Sequence, residues 1–552
     1  MSCPPPTGPS LKRCALADLL IHNARIRTMD PARPFAEWCL IRDGRIAALG
    51  QGTPPGAAHK IDAGGRLVLP GFQDAHIHLL SGGTDLATAA QLYDVTSESG
   101  LLASLAAHAR AKAHLPLVLG AGWQPGLFGD HNLTAALLDR VVPDRPVVIY
   151  DSSCHNACLN ARALALAGIG DATPDPPNGH IVRDTGGRAT GMLHEEAIPW
   201  AVARLPQLSD DTWLEGLRAG QAHANAHGIT GVLDPRITEL EAGIYAQAAA
   251  TGALSLRVAG AALVTEADTP LAAVARLSAL RAAHPGPDFH AHSAKFFMDG
   301  VFENRTAACL TPYADAPGGN APCMFGADQT GALFTALDAA RFAIHVHVIG
   351  DAAARRALDG LAAARAANGP WPAAHQLTHL QLTDRADLGR LASLATANIQ
   401  PLWARFDPTV PDIALDMIGP ARWPDTYAFR RMLDAGADWC LSSDWPVTTL
   451  NPFQIIETAV TRQPRRSEGR RAPFQPDQTL TVEECVLGYT LQAARACWRS
   501  GFTGLLRPGF SADLIVVSQD IFACAPEAIS ETQVLLTLFK GRPVHAAAPF
   551  GD

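Results

Sequence analysis

Several things are scarce in this chain, and each scarcity excludes a class. No stretch is long and apolar enough to span a bilayer, and Met1 to Leu20, with two basic residues and a Pro-rich opening, lacks the apolar core of a signal peptide. The expectation is a cytoplasmic protein with no membrane partner. The eleven cysteines are odd in number, scattered and without C-x-x-C spacing, which describes reduced thiols and not a disulfide framework. Cys154 and Cys158, four apart, read as small core or loop residues. A net charge of -9 is spread without long runs of either sign, and no Lys/Arg stripe offers a phosphate footprint, so nucleic acid is excluded as a partner. Aromatic residues are only 6% of a chain that is 48% hydrophobic, the balance of an Ala- and Leu-rich globular protein. At 552 residues it exceeds one ordinary core, so a large domain plus at least one smaller unit is expected.

Both ends read as short strands. Leu19-Leu20-Ile21, Ile26, Cys39-Leu40-Ile41 and Ile46 to Leu49 fall in the first seventy residues, and Asp43-Gly44 suits a type I′ hairpin turn. Near the far end, Ala512 to Val517 and the piece around Arg542-Pro543-Val544 are strand-like. Neither end has enough apolar surface to fold alone, so both are expected to pair into one small β unit, residues 1–69 with 505–552. Between them, residues 70–504 alternate apolar runs with Ala/Leu-rich segments of helical period. The runs include Pro146 to Tyr150, Gly231 to Asp234, Phe342 to His347 and Trp439 to Ser442. The pattern predicts an α/β fold, a (β/α)8 barrel ahead of a doubly wound sheet. Inserted loops are expected near 90–200 and 303–332, with the Pro/Gly-rich stretches Thr173–Asn178 and Tyr313–Pro322 lying over the active-site face.

The sharpest motif is Pro70-Gly71-Phe72-Gln73-Asp74-Ala75-His76-Ile77-His78, directly after Leu67-Val68-Leu69. Histidines at i and i+2 of a strand share a face and are spaced to hold one metal ion. Alone the pair is weak, but further strand ends supply partners: Lys295, His347, His379 and Asp444 each stand where an apolar run gives way to a loop, the catalytic rim of a barrel. Any one of them reads equally as structural. Lys295 could be salt-bridged to Asp299, and Asp444 could cap a helix. Together they point to a metal centre.

These segments resemble the amidohydrolase superfamily, specifically amidohydrolase family 3, which includes N-substituted formamide deformylase-like proteins. Val182-Arg183-Asp184, Thr190-Gly191-Met192-Leu193, Pro312-Tyr313, Ser443–Val447 and Gly504 to Leu514 complete the likeness, which covers nearly the whole chain in order. The resemblance implies a distorted (β/α)8 TIM barrel beside a small β-sandwich formed by both chain termini. It implies that His76, His78, His347, His379 and Asp444 ligate one or two divalent metals, usually zinc. It also makes Lys295 the position where many relatives carry a carboxylated lysine bridging two metals. The implied activity is hydrolysis of an amide, N-acyl or N-formyl C–N bond in a small molecule by metal-activated water, with Asp444 moving the proton. His155 is implied to polarise or contact substrate, in a His-x-x-x-x-Asn pattern that Asn160 completes.

Trp123 and Trp445 read evenly as loop packing or as a substrate wall. Gln73 departs from the small or apolar residue of relatives and could alter the contacts that orient His76 or His78. The cluster His194-Glu195-Glu196 reads as a solvated helix in preference to a substrate contact. Alternatives to the leading reading are a cyclic-amide hydrolase or deaminase on the same scaffold, or a non-catalytic metal-stabilised binding protein. A homodimer is a reasonable expectation for such an enzyme.

Overall fold

The computed structural model describes residues 18–128, 132–316, 318–406, 411–469 and 471–551. Most of the opening segment read for a signal peptide, and one residue of the 313–322 loop, lie outside these. Among the described residues no helix is long and apolar enough to cross a membrane.

The central feature is an eight-stranded parallel sheet in sequence order: β1 (Phe72–Asp74), β2 (Ile229–Ile237), β3 (Arg257–Leu263), β4 (Phe289–Phe297), β5 (Ala343–Val348), β6 (Gln376–His379), β7 (Thr396–Ile399) and β8 (Trp439–Leu441). Apolar outward-facing side chains pack on the surrounding helices. Phe72 lies 5.7 Å from both Phe453 and Tyr489, and Phe296 meets Phe325 and Phe334 at 5.3 and 4.8 Å. The ladder does not run from β8 to β1. That gap is closed just beyond the strands, where the Asp444 N–H donates to the His76 carbonyl and the His78 N–H to the Trp445 carbonyl, both at 2.9 Å. The result is the distorted barrel expected from the sequence.

The two termini share their sheets. Leu67–Pro70 pairs with Leu514–Val517 on one side and with Arg25-Ile26 on the other, inside a six-stranded sheet. A four-stranded sheet built from Leu19–His22, Trp38–Arg42, Arg45–Gly50 and His59–Asp62 packs over it. Their common core joins Ile21, Cys39 and Ile41 to Leu514, Val516 and Leu538. Asp43 and Gly44 have φ of 47° and 74°, the left-handed pair that a type I′ turn requires, as the Asp-Gly dipeptide predicts.

One assignment is corrected. The run Val147–Asp151 is not a barrel strand, and the segment near 90–200 is more than inserted loops. Between β1 and β2 the chain builds its own six-stranded mixed sheet from Ala89–Gln91, Val118–Trp123, Val147–Asp151, Asn156–Leu159, Gly179–Arg183 and Ala189–Glu195. This insert has separate apolar cores around Leu101, Leu105 and Ile149 and around Leu159 and Leu193. A short buried apolar run looks the same in any parallel sheet, so periodicity could not say which sheet it joins.

Sandwich and barrel are joined by a buried ion pair. The Arg257 guanidinium at the start of β3 donates to the Asp513 carboxylate, and to Ser511 Oγ at 2.7 Å. The two side chains are 4% and 5% exposed. Removing one partner strands the other charge in a dry setting, a change that costs about 3–5 kcal/mol. Asp513→Ala should therefore lower the thermal midpoint well beyond a surface substitution, whereas Arg257→Met/Asp513→Leu should recover much of the loss. Differential scanning calorimetry checks both.

Candidate active site

The candidate residues gather at the C-terminal mouth of the barrel, delivered by the ends of five strands. In the parallel register Lys295 stands beside His345 and Phe297 beside His347, which puts these four on one face. Phe296, one residue out of phase, faces the helices, so that face is the barrel interior. His379 pairs with Val348 and by the regular pleat would point outward. Its φ of 80° breaks the pleat and turns the ring inward, to 4.6 Å from His347 and 5.2 Å from His76. Asp444 also has a left-handed backbone, at φ 56°. Such strain in non-glycine residues persists only where surroundings over-determine it.

His76 and His78 lie past the end of β1, not on the strand itself. The barrel-closing bonds still bring them together, with ring centroids 5.6 Å apart. Their Nε2 atoms each lie 3.3 Å from Asp444 Oδ1, and these three residues could hold a metal ion. His76 Nδ1 sits 2.7 Å from His345 Nε2, and His379 Nδ1 lies 3.0 Å from Gln400 Oε1. With Nδ1 donating in each, the Nε2 lone pairs are left facing the cluster. Trp403 stacks on His379 at 5.2 Å with the planes 11° apart.

The donor set fits a divalent cation. Asp444 Oδ1, His347 Nδ1 and Lys295 Nζ are all buried without a hydrogen-bond partner, a costly condition for a carboxylate unless a cation or proton meets it. Burial opposes ionisation of Asp444, yet the nearby His78, His379 and Lys295 hold its carboxyl below the usual range. Lys295 is fully buried, and this desolvation brings its ammonium down to about 7 against the pull of Asp444. The alternative salt bridge to Asp299 is absent. Asp299 instead accepts backbone N–H groups from Ala308, Ile349 and Gly350 at 2.8–3.0 Å, and its Oδ1 lies 3.4 Å from His347 Nδ1.

His155 comes from the insert and lies 5.7 Å from the His347 ring. Its Nδ1 donates at 2.7 Å to Glu195 Oε2, and the other Glu195 oxygen accepts from Thr306 Oγ1 at 2.8 Å and Asn304 Nδ2 at 3.3 Å. Burial pulls the imidazole down, but the Glu195 carboxylate outweighs it and lifts His155 to about 9. Burial likewise opposes the Glu195 charge, which His155 and the two donors hold down at about 2. Glu195 is thus not on a solvated helix. It ends a strand with a side chain 7% exposed, and no period in the sequence could reveal a partner forty residues away.

Other expectations are also revised. Asn160 caps the helix Ala161–Ala167 and ties Val142 and Arg145 together, away from the cluster. Trp445 does not wall the pocket: its ring fills the space over Gly82, where a Cβ would come within 2.5 Å, and packs on His223. Trp123 is 1% exposed and packs on Phe128 in the insert core, so the loop-packing alternative describes it. Gln73 donates to Thr503 Oγ1, away from His76 and His78. The sequence reading missed His345, Gln400 and Trp403. His345 carried a signal, since it stands two residues before His347 on the same strand.

Comparison with known proteins agrees with this architecture. The family model described as "Amidohydrolase family" matches residues 60–545. The chain belongs to this family of metal-dependent hydrolases. It is 27% identical to the N-substituted formamide deformylase of Arthrobacter pascens, over 95% of this chain and 98% of that protein. It is also 27% identical to Protein LONG AFTER FAR-RED 3 of Arabidopsis thaliana, over 99% of this chain and 93% of that one. An uncharacterized metal-dependent hydrolase from Pyrococcus horikoshii OT3 superposes with a TM-score of 0.74 at 22% identity, covering 92% of this chain and 99% of its own.

The His155–Glu195 pair carries a pH signature. His155, raised in the fold, contributes stability that is full below its unfolded pKa of ~6.5 and is lost as pH climbs through about 9. Glu195, depressed, contributes above its unfolded value of ~4.3, and that part is lost as pH falls toward about 2. In Glu195→Gln the main supporting charge is gone and burial is opposed only by the weaker pull of Asp151 and Asp444, so the His155 midpoint should fall well below about 9. Carbon-13 NMR of labelled histidines checks this; an unmoved midpoint would contradict the assignment.

Proposed function

We propose that the chain hydrolyses a C–N bond, of an amide, N-acyl or N-formyl kind, in a small organic molecule. The observation that carries this reading is the buried, unpartnered Asp444 carboxylate lying 3.3 Å from the Nε2 atoms of both His76 and His78 at the barrel mouth. The likeness to a formamide deformylase supports the choice of bond. His76, His78, His347, His379 and Asp444 would hold one or two divalent ions, zinc being the expected one. A divalent ion bound there supplies Lewis acidity and brings the ionisation of water near neutrality.

The remaining steps belong to side chains. His155, charged through Glu195 and with Nδ1 committed to it, keeps its Nε2–H to donate to the substrate carbonyl oxygen as negative charge builds there. Asp444, ionised at neutral pH, accepts the proton of the attacking water and delivers it to the leaving nitrogen. Lys295, brought to about 7 by burial, is in good part the neutral amine that adds carbon dioxide to give a carbamate and a proton, and as an anionic carbamate it would join the residues that hold a divalent ion. A cyclic-amide hydrolase or a deaminase would use the same groups. Product analysis separates them, since a deaminase releases ammonia whereas amide hydrolysis yields a carboxylate and an amine.

Asp444→Asn should keep metal through the histidines while kcat falls by ~10²–10⁴-fold, the usual worth of a general acid/base. A metal-loaded variant with full activity would reduce Asp444 to a ligand. Lys295→Ala should lose one ion and most turnover, with partial rescue by a small carboxylic acid, whereas Lys295→Arg should not be rescued because its guanidinium stays charged. Elemental analysis beside native mass spectrometry reads the ion count and the 44 Da (carbon dioxide) adduct. Chelation should abolish turnover with little unfolding, because the apolar core around the barrel does not pass through the site.

A further inference from the structure

Arg236 stands at the C-terminal end of β2, half-buried. Between Asp234 and Ile237 the pairing with β3 slips by a residue, a bulge of the kind that re-aims a side chain beside an active site. Asp234 is committed elsewhere, accepting the Tyr245 hydroxyl at 2.6 Å and the Arg236 backbone N–H at 3.4 Å. Among the described residues the guanidinium of Arg236 has no hydrogen-bond, ion-pair or ring partner. Among the described residues every other half-buried arginine has one, to a carboxylate, a carbonyl or an aromatic face, as in Arg276 with Asp268, Arg355 with Asp387 and Arg27 over Phe522. A planar fork of donors left unmatched beside the candidate site suits an incoming carboxylate.

Its surroundings are those of the site. The backbone just before it is tied to the His76–His78 segment, the Ile77 N–H donating to the Leu233 carbonyl at 3.0 Å. By its place near the end of β2, Arg236 belongs to the C-terminal rim of the barrel, and its charge reaches Lys295 and, on the insert side, Tyr150 and Glu196. Glu196, also half-buried there, forms no ion pair with it.

We propose that Arg236 is a substrate-anchoring residue that pairs with a carboxylate, so that the C–N compounds this chain prefers are N-acyl amino acids or similar anionic amides, not neutral N-alkyl amides. The inference rests on the hydrolase reading above and narrows it to a substrate class.

The test compares N-formylphenylalanine with its neutral amide, N-formylphenylalaninamide, on the metal-loaded full chain at constant ionic strength. Wild type should favour the acid in kcat/KM by ~10–100-fold, chiefly through KM, the worth of a hydrogen bond to a charged group. Arg236→Gln should bring that ratio near one, and Arg236→Lys should keep part of it as a point charge without the fork. Thermal-shift binding of hippurate against hippuramide to wild type and Arg236→Gln is read alongside, because it needs no turnover. If neither formyl compound is hydrolysed but hippurate alone stabilises wild type and not Arg236→Gln, the hydrolase reading fails and the anion site stands. If the amide is turned over as well as the acid, or if Arg236→Gln leaves the ratio unchanged, Arg236 is a solvated arginine and the proposal is overturned.

Discussion

Closure of the barrel is the constraint from which the candidate site follows. The first and last strands do not zip together directly. The peptide groups of His76, His78, Asp444 and Trp445 do most of the joining, two bonds of 2.9 Å laid past the strand ends beside a longer one of 3.4 Å from the Ala75 N–H to the Leu441 carbonyl. The residues that seal the barrel are therefore the same ones whose side chains converge, and any opening of this seam would separate the two halves of the ligand set. The strained backbone at Asp444 belongs here, because the side chain can meet both histidines only if its peptide is already held by the seam.

Behind the ligands lies a polar layer with few loose ends. Gln400 accepts from His379 and donates to Asn398 and Ser442, and Asn398 donates on to the Ala75 carbonyl and Gln376. The layer links β6, β7 and β8 to the segment after β1, so the orientation of one histidine depends on four strand ends. Low local dielectric strengthens each bond and makes each omission expensive, which gives the ring of His379 a single tautomer and aim. His155 is fixed differently. It is held by charge, through one carboxylate that barrel-loop donors keep ionised, and so it can be neutralised without disturbing the layer beneath.

Legibility of the sequence followed the range of the interactions. The Asp-Gly turn, the strand runs at both ends and the histidine pair depend on neighbours within a few residues, and those were readable. The membership of Val147–Asp151 in the insert sheet depends on strands at Val118–Trp123 and Asn156–Leu159, and local period carries no label for the partner. Glu195 illustrates the same limit, since a charged triplet reads as solvent-facing until His155, Asn304 and Thr306 surround it. Trp445 left packing and pocket wall evenly open, because a tryptophan beside Asp444 suits either. The glycine at position 82, which opens a slot for its ring among the helices, speaks only in three dimensions. Lys295 was readable because one lysine among Phe296, Phe297 and Met298 is conspicuous, although the absence of a hydrogen-bond partner for its Nζ was not.

The shared sheet of the two termini has a consequence for how the chain reaches this state. Leu67–Pro70 finds its antiparallel neighbour only at Leu514–Val517, some 450 residues later in synthesis. Until then one edge of a hydrophobic strand stays unpaired, directly upstream of the segment that carries His76 and His78. A nascent chain thus holds an adhesive edge while the intervening residues are made, exposed to pairing with other chains. A segment made late acts as the cover for one made early. Removal of Leu514–Val517 should accordingly show itself as association between copies before it disturbs the candidate metal-holding residues, which lie upstream.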